Sequence, residues 1–310
     1  MAHQVETMAY AGEVPWHGLG KQVLPDLTPE QMLYEAGLDW SVEKIPAFAE
    51  VNGEKVAVGK SALIRSSDSK VLDVVGDDWN PVQNAEAFGF FADFVSEGNM
   101  EMHTAGSLKG GQMVWALAKV KDESFELFGN DRIDSYLLFS NPHMYGKSID
   151  VRFTPIRVVC NNTLTLSLGK GSKNSVKVSH RTQFDADQVK ETMGIASFKM
   201  NEYKDAALLM ASKRYTEDTK IEYLERVFPV LGEAKRKERS KGAAGVLDIL
   251  ETQPGAQYGE GTFWQLFNGV TYYVDHEMGR NADNRMSAAW FGSGVKKKQD
   301  AINLALEYAS

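Results

Sequence analysis

The sequence predicts an α+β fold, with a strand-rich N-terminal half carrying a packed helix and a mostly helical C-terminal half. Three observations carry this. Short β-type runs dominate the first half, apolar spacing near 3.6 residues dominates the second, and the two patterns change over once, near residues 182–190. Strands first and helices after is the signature of segregated layers, not of a doubly wound parallel sheet. The expected organisation is an α+β core domain over 1–184, which includes a basic segment at 151–184, and a helical region over 185–310.

The first element is a short helix from Pro29 to Ala36. Thr28 caps it, Pro29 suits its first turn, Gln31 completes a capping box and Gly37 ends it. "EKVAVGKSALIR" and "SKVLDVVGDDW" read as strands joined by the turn-like "SSDS". "AEAFGFFADFVSEG" follows Asn84, a good N-cap, and stops at Gly98, so it reads as one helix. "GGQMVWALAKV", "RIDSYLLFSN" and "SIDVRFTPI" return to strand character. The expected C-terminal helices are Asp187–Met200, Asn201–Ser212, Asp218–Leu231, Ala243–Glu251, Thr262–Glu277 and Lys297–Ala309. "KRKERSK" and "TQPGAQYGEG" read as exposed connections.

Composition bounds the function. The 310 residues are 43% hydrophobic and 25% charged, as in an ordinary globular protein. No apolar run is long enough for a spanning helix, and "MAHQVETMAY" lacks the pattern of a secretory signal. The single cysteine, Cys160, excludes an internal disulfide and a cysteine-based zinc site. These features fit a cytoplasmic protein with no membrane partner.

Charge is unevenly placed within a net −8. Residues 1–150 hold 23 acidic and 11 basic side chains, net −12, whereas residues 151–184 hold six basic and none acidic. The remainder holds 19 acidic and 17 basic, net −2. An acidic total disfavours nonspecific coating of nucleic acid but leaves room for a local basic groove.

Most catalytic motifs fail on spacing. Gly59-Lys60-Ser61 resembles the end of a phosphate loop, yet the first glycine of that motif falls on Glu54, so a β-hairpin is the better reading. None of the six histidines has metal-ligand spacing to another, and no metal or cofactor is expected. Cys160 lies in the apolar "RVVCNN" and reads as a buried hydrophobe, not a nucleophile. Asp77-Asp78 reads as a solvated turn. "PWHGLG" is a fixed loop in which Trp16 and His17 are candidate ligand contacts, with Trp16 as a core plug the plainer alternative.

The basic segment supplies the other candidates. Arg152, Arg157, Lys170, Lys173, Lys177 and Arg181 are positioned to meet phosphates, and Asn161 and Asn162 are adjacent amides that need partners if buried. Between Arg157 and Asn162, strand and helix stay open. The helix is slightly favoured, because it sets Arg157 and Asn161 on one face with Cys160 turned away. Val158, Val159 and Cys160 are expected in the core.

Several segments together resemble the DUF932 family of phage- and plasmid-borne proteins. They are "ETMAYAGEVPWHGLG", "AGLDW", "NPVQNAEAF", "TAGSLKGGQMVWALAK", "RVVCNNTL" and "WFGSG", spread over nearly the whole chain. "NPHMYGKS" departs from the family pattern, which has an Asp-Gly turn after an Asn-x-His. The resemblance implies a role in replication, recombination or the contest with host defence. The expectation is a non-enzymatic, homo-oligomeric protein that binds single-stranded DNA. Two alternatives stand beside it. One is a module that occupies a host protein. The other is an enzyme whose site is assembled from distant residues such as His17, Asp77, His103 and Asn161.

Overall fold

The computed structural model describes residues 4–12, 15, 18–157, 162–163, 175–193, 196–230, 240–279 and 284–310. The larger sheet begins with β1 (Val5–Ala11), and β2 (Lys21–Val23) lies parallel to it. The smaller sheet is β3 (Val42–Val51), β4 (Glu54–Arg65) and β5 (Val71–Val75), all antiparallel. The larger sheet is completed by β6 (Met100–Leu108), β7 (Met113–Leu127), β8 (Asp131–Pro142), β9 (Ile149–Arg157), β10 (Asn162–Thr163) and β11 (Ser175–Val178). Its order is β10-β9-β8-β7-β6-β1-β2, and β11 also pairs with β9.

The chain is therefore α+β, strands early and helices late, as its patterning predicts. It divides into two units by contacts. One holds residues 1–122, 136–153 and 175–194; the other holds 123–135, 154–174 and 195–310. Among the described residues no helix is long and apolar enough to cross a membrane.

Local chemistry explains the elements. Helix α1 (Pro29–Glu35) has the full capping box: Gln31 N–H donates to Thr28 Oγ1 at 3.2 Å, and Thr28 N–H to Gln31 Oε1 at 2.9 Å. The β3–β4 hairpin turns on Asn52-Gly53, both left-handed at φ +53 and +85, as a two-residue primed turn requires. Gly59-Lys60-Ser61 lies within β4, so the hairpin reading holds over the phosphate loop.

Four expectations give way. "AEAFGFFADFVSEG" forms two short helices, α2 (Asn84–Gly89) and α3 (Ala92–Ser96), with the break just after Gly89, a poor helix former. Asn84 is not the N-cap: that position is Gln83, and Asn84 is buried inside the first turn. Arg157 does not start a helix: it closes β9 and pairs antiparallel with Asn162 of β10. Val158, Val159 and Cys160, expected in the core, lie outside the described residues. "TQPGAQYGEG" is no purely exposed connection, since Gln253, Gly255, Ala256 and Gly259 are buried.

The second unit is built around α8 (Phe263–Tyr272), whose residues Phe263 to Thr271 are all buried. It is preceded by α4 (Ala186–Met193, which belongs to the first unit), α5 (Ala196–Ser212), α6 (Glu217–Val227) and α7 (Lys241–Ile249). A π-helical turn, Tyr273–Glu277, extends α8, and α9 (Arg285–Phe291) and α10 (Ser293–Ala309) follow. Helix α9 has no counterpart among the expected elements. Lys298 and Asp275 form a buried ion pair at 2.7 Å between α10 and the π-turn.

In the first unit β1 and β6 approach too closely for a side chain at Gly106, where a Cβ would stand 2.5 Å from the Thr7 carbonyl oxygen. Gly106→Ala should therefore cost about 1–3 kcal/mol in urea unfolding. Gly89→Ala meets nothing within 4 Å and should be neutral or stabilising. Equal unfolding midpoints for the two variants would contradict this account of the β1–β6 contact.

Candidate functional site

Among the described residues the basic segment does not form one cationic surface. Arg152 is half-buried on β9, and its Nη2 donates to Asp150 at 2.8 Å. Lys177 lies on β11 opposite Asp150 and is exposed. Arg181 pairs with Asp78 at 3.0 Å, with both side chains more than 60% exposed (64% and 62%), a contact that water and salt screen. Asn162 pairs through its backbone in β10. Asn161, Lys170 and Lys173 lie outside the described residues, as do Trp16 and His17 of the "PWHGLG" loop.

Arg157 is the exception that changes the reading, because it is buried and cannot meet a phosphate. All its described partners belong to the second unit. Nε and Nη2 donate to the two oxygens of Asp131 at 2.6 and 2.8 Å, and Nη2 also reaches the Gly255 carbonyl at 2.8 Å. Trp264 donates its indole N–H to Asp131 at 2.8 Å, and its ring centroid lies 5.9 Å from the guanidinium. Tyr203 is buried close enough that both charges act on it. Burial raises its hydroxyl well above the usual range, Arg157 opposes this and Asp131 adds to it. A charge pair so enclosed is a structural lock. Removing one member leaves the other uncompensated, which costs about 3–5 kcal/mol.

A second polar cluster sits in the first unit, where segments that carry the family resemblance converge. Asn84 donates to the carbonyls of Leu38 and Trp40 at 3.0 and 3.2 Å. Its Oδ1 therefore accepts from His143 Nε2 at 2.9 Å, which fixes the proton on Nε2. Burial, with a smaller push from His180, lowers His143 to about 3. Trp40 meets the His143 ring edge-on at 5.4 Å. Asn141 donates to the Val82 carbonyl at 2.8 Å. Trp79 stacks on His180 at 4.1 Å, and His180 Nδ1 lies 3.0 Å from the Asn80 carbonyl. A buried imidazole this weakly basic is neutral at physiological pH. Its Nε2–H donates to the Asn84 amide, which in turn ties the end of β8 and the start of α2 to the segment before β3.

Of the residues proposed for a dispersed enzyme site, His17 and Asn161 lie outside the described residues. Asp77 accepts from Ser61 at 3.3 Å, and His103 Nδ1 meets Thr104 Oγ1 at 2.7 Å. Among the described residues no three His, Cys, Asp or Glu side chains come together as metal ligands. An open cleft of about 550 Å³ lies beside β1 and α1, floored by Val5, Met8 and Leu19 and edged by the Lys21–Glu35 ion pair.

A family model described as a domain of unknown function, DUF932, matches residues 71–290, more than half of the chain. The chain belongs to the DUF932 family. The match runs from β5 to Trp290 in α9, so in this DUF932 protein it takes in Asn84, His143, Arg157, Asp131 and Trp264. "ETMAYAGEVPWHGLG" and "AGLDW" precede it. The searches of curated proteins and of solved structures returned no match.

Sequence reasoning missed Asp131, Trp264 and the Asn84–His143 pair. The usable signal was Arg157 itself, an arginine in an apolar strand that demands a buried carboxylate somewhere. Two outcomes follow. Arg157→Met should lower unfolding free energy by about 3–5 kcal/mol, and Arg157→Met with Asp131→Leu should recover part of it, since no lone charge then remains. For His143, the unfolded ring protonates near its ordinary 6.5 and the folded one only near 3. Stability is then fully present above pH 6.5 and falls as pH drops toward 3, by up to about 1.4 kcal/mol per pH unit. His143→Gln should flatten that decline in denaturation curves between pH 4 and 7.

Proposed function

We propose that this DUF932 protein is a non-enzymatic single-stranded DNA-binding protein of phage or plasmid origin, acting as a homo-oligomer in annealing or recombination in the host cytoplasm. The observation that carries the reading is the edge of the larger sheet. There β11 presents Lys177 to solvent and Arg181 follows it, within a 34-residue segment that contains no acid. Lys170 and Lys173 belong to the same segment. Arg157 drops out of the phosphate-contacting set, and Arg152 is partly neutralised by Asp150. The reading needs no cofactor and no metal.

Backbone-tracking grooves release counterions, so affinity should fall with salt. For four phosphate contacts on a single strand, log K against log salt should slope at about −3. Anisotropy titrations of labelled oligonucleotide at several salt concentrations measure this. Lys177→Gln with Arg181→Gln should reduce the slope by about 1.4. No binding at micromolar protein in low salt ends the proposal. The acidic charge of residues 1–150 favours a second reading, a module that occupies a host protein. A stoichiometric host partner that survives nuclease treatment would support it.

A further inference from the structure

Twelve large apolar side chains are exposed among the described residues, and seven of them lie on the smaller sheet: Ile45, Phe48, Val51, Val56 and Val58 on β3 and β4, Val71 and Val74 on β5. Such a concentration is not the single, scattered exposure that any surface shows. Ile45, Ala62 and Val74 stand in one row across the three strands. Beyond that row the sheet narrows. Strand β5 pairs with β4 only from Ser61 to Ile64, so β3 and β4 continue alone as a two-stranded arm. Residues 48–60 of that arm are exposed throughout. Two strands alone are marginal in water, and an arm of this kind gains from a partner that covers it.

The arm has an open edge as well as apolar faces. Along β3 the edge is interrupted by Pro46, which has no N–H to give. The far side of β4 from Glu54 to Val58 is not interrupted in this way. A bulge follows it, where the register shifts between Pro46 and Phe48 and Gly59 takes φ +63.

Charge identifies the occupant. Residues 47–60 carry Glu50 and Glu54 against Lys55 and Lys60, a net of zero, whereas residues 1–150 as a whole carry −12. A neutral apolar edge suits another of its own kind. An antiparallel two-fold pairing of β4 about Ala57 sets Glu54 opposite Lys60 of the second copy, and the symmetry makes that contact twice. We propose that the β3–β4 arm is a self-association surface on which a second copy of this chain docks through the open edge of β4. The contact is isologous, as closed dimers require, and adds a strand to each copy by backbone pairing.

Sedimentation velocity or light scattering on the full chain at physiological salt, from sub-micromolar to about 100 μM, tests it; stable protein–protein association is expected within that range. The wild type should pass from monomer to dimer as concentration rises. Val56→Asp should weaken the dimer by more than about tenfold. Its melting temperature, measured below the association range, should match the wild type, because the side chain is already 47% exposed. Glu54→Lys and Lys60→Glu should each weaken the dimer, and the two together should restore it. Three results overturn the proposal: a wild type that stays monomeric throughout, a Val56→Asp variant that dimerises as the wild type does, or a double charge swap that fails to recover association. Each is read without DNA, so failure here is separate from failure of DNA binding.

Discussion

The second unit hangs on one buried ion pair. Arg157 and Asp131 are at most 1% exposed, and taking each charge out of water costs several kcal/mol before any gain. Four charge-assisted hydrogen bonds offset that cost: two between the pair, one from Arg157 to the Gly255 carbonyl and one from the Trp264 indole. They join the start of β8, the end of β9, the connection after α7 and the first turn of α8. The geometry explains why that connection folds inward despite its glycines and polar residues: its Gly255 carbonyl is an acceptor the guanidinium uses.

The first unit solves a similar problem without charge. Asn84 spends its two N–H bonds on backbone carbonyls and its oxygen on His143, so one amide fixes a helix start, a loop and an imidazole tautomer. The ring stays neutral because burial, and to a smaller extent the nearby His180, disfavour its charged form. Both clusters are held by groups that would be costly to leave unpaired, and Asn84, His143, Asp131, Arg157 and Trp264 all fall within the stretch that the family model matches.

What was legible in the sequence followed the range of the physics. The capping box at Thr28 and Gln31 and most helices are decided within a few residues, and their patterns announced them. The strands β1, β3 and β6 carried no clean alternation, since both of their faces vary in burial along their length. Asn84 has the composition of an N-cap, but the side-chain oxygen that would accept from the helix's first N–H groups accepts from His143 Nε2 instead. Arg157 sits in an ordered polar cluster whose other members the sequence did not name. Its partner, Asp131, is 26 residues upstream, brought close only by the larger sheet, and no local spacing encodes that. The same limit turned a structural arginine into a candidate for phosphate contact.

The placement of that ion pair also sets a clock. Asp131 and Arg157 leave the ribosome early, but Trp264, which completes their enclosure, comes 107 residues after Arg157. At ordinary synthesis rates of about 5–20 residues per second, the nascent chain carries the two charges unenclosed for roughly 5–20 s. During that interval the far ends of β8 and β9 lack the tryptophan and the glycine carbonyl that make their burial tolerable. The N-terminal strands can therefore begin pairing as they emerge, whereas the second unit must wait for most of the protein to be made.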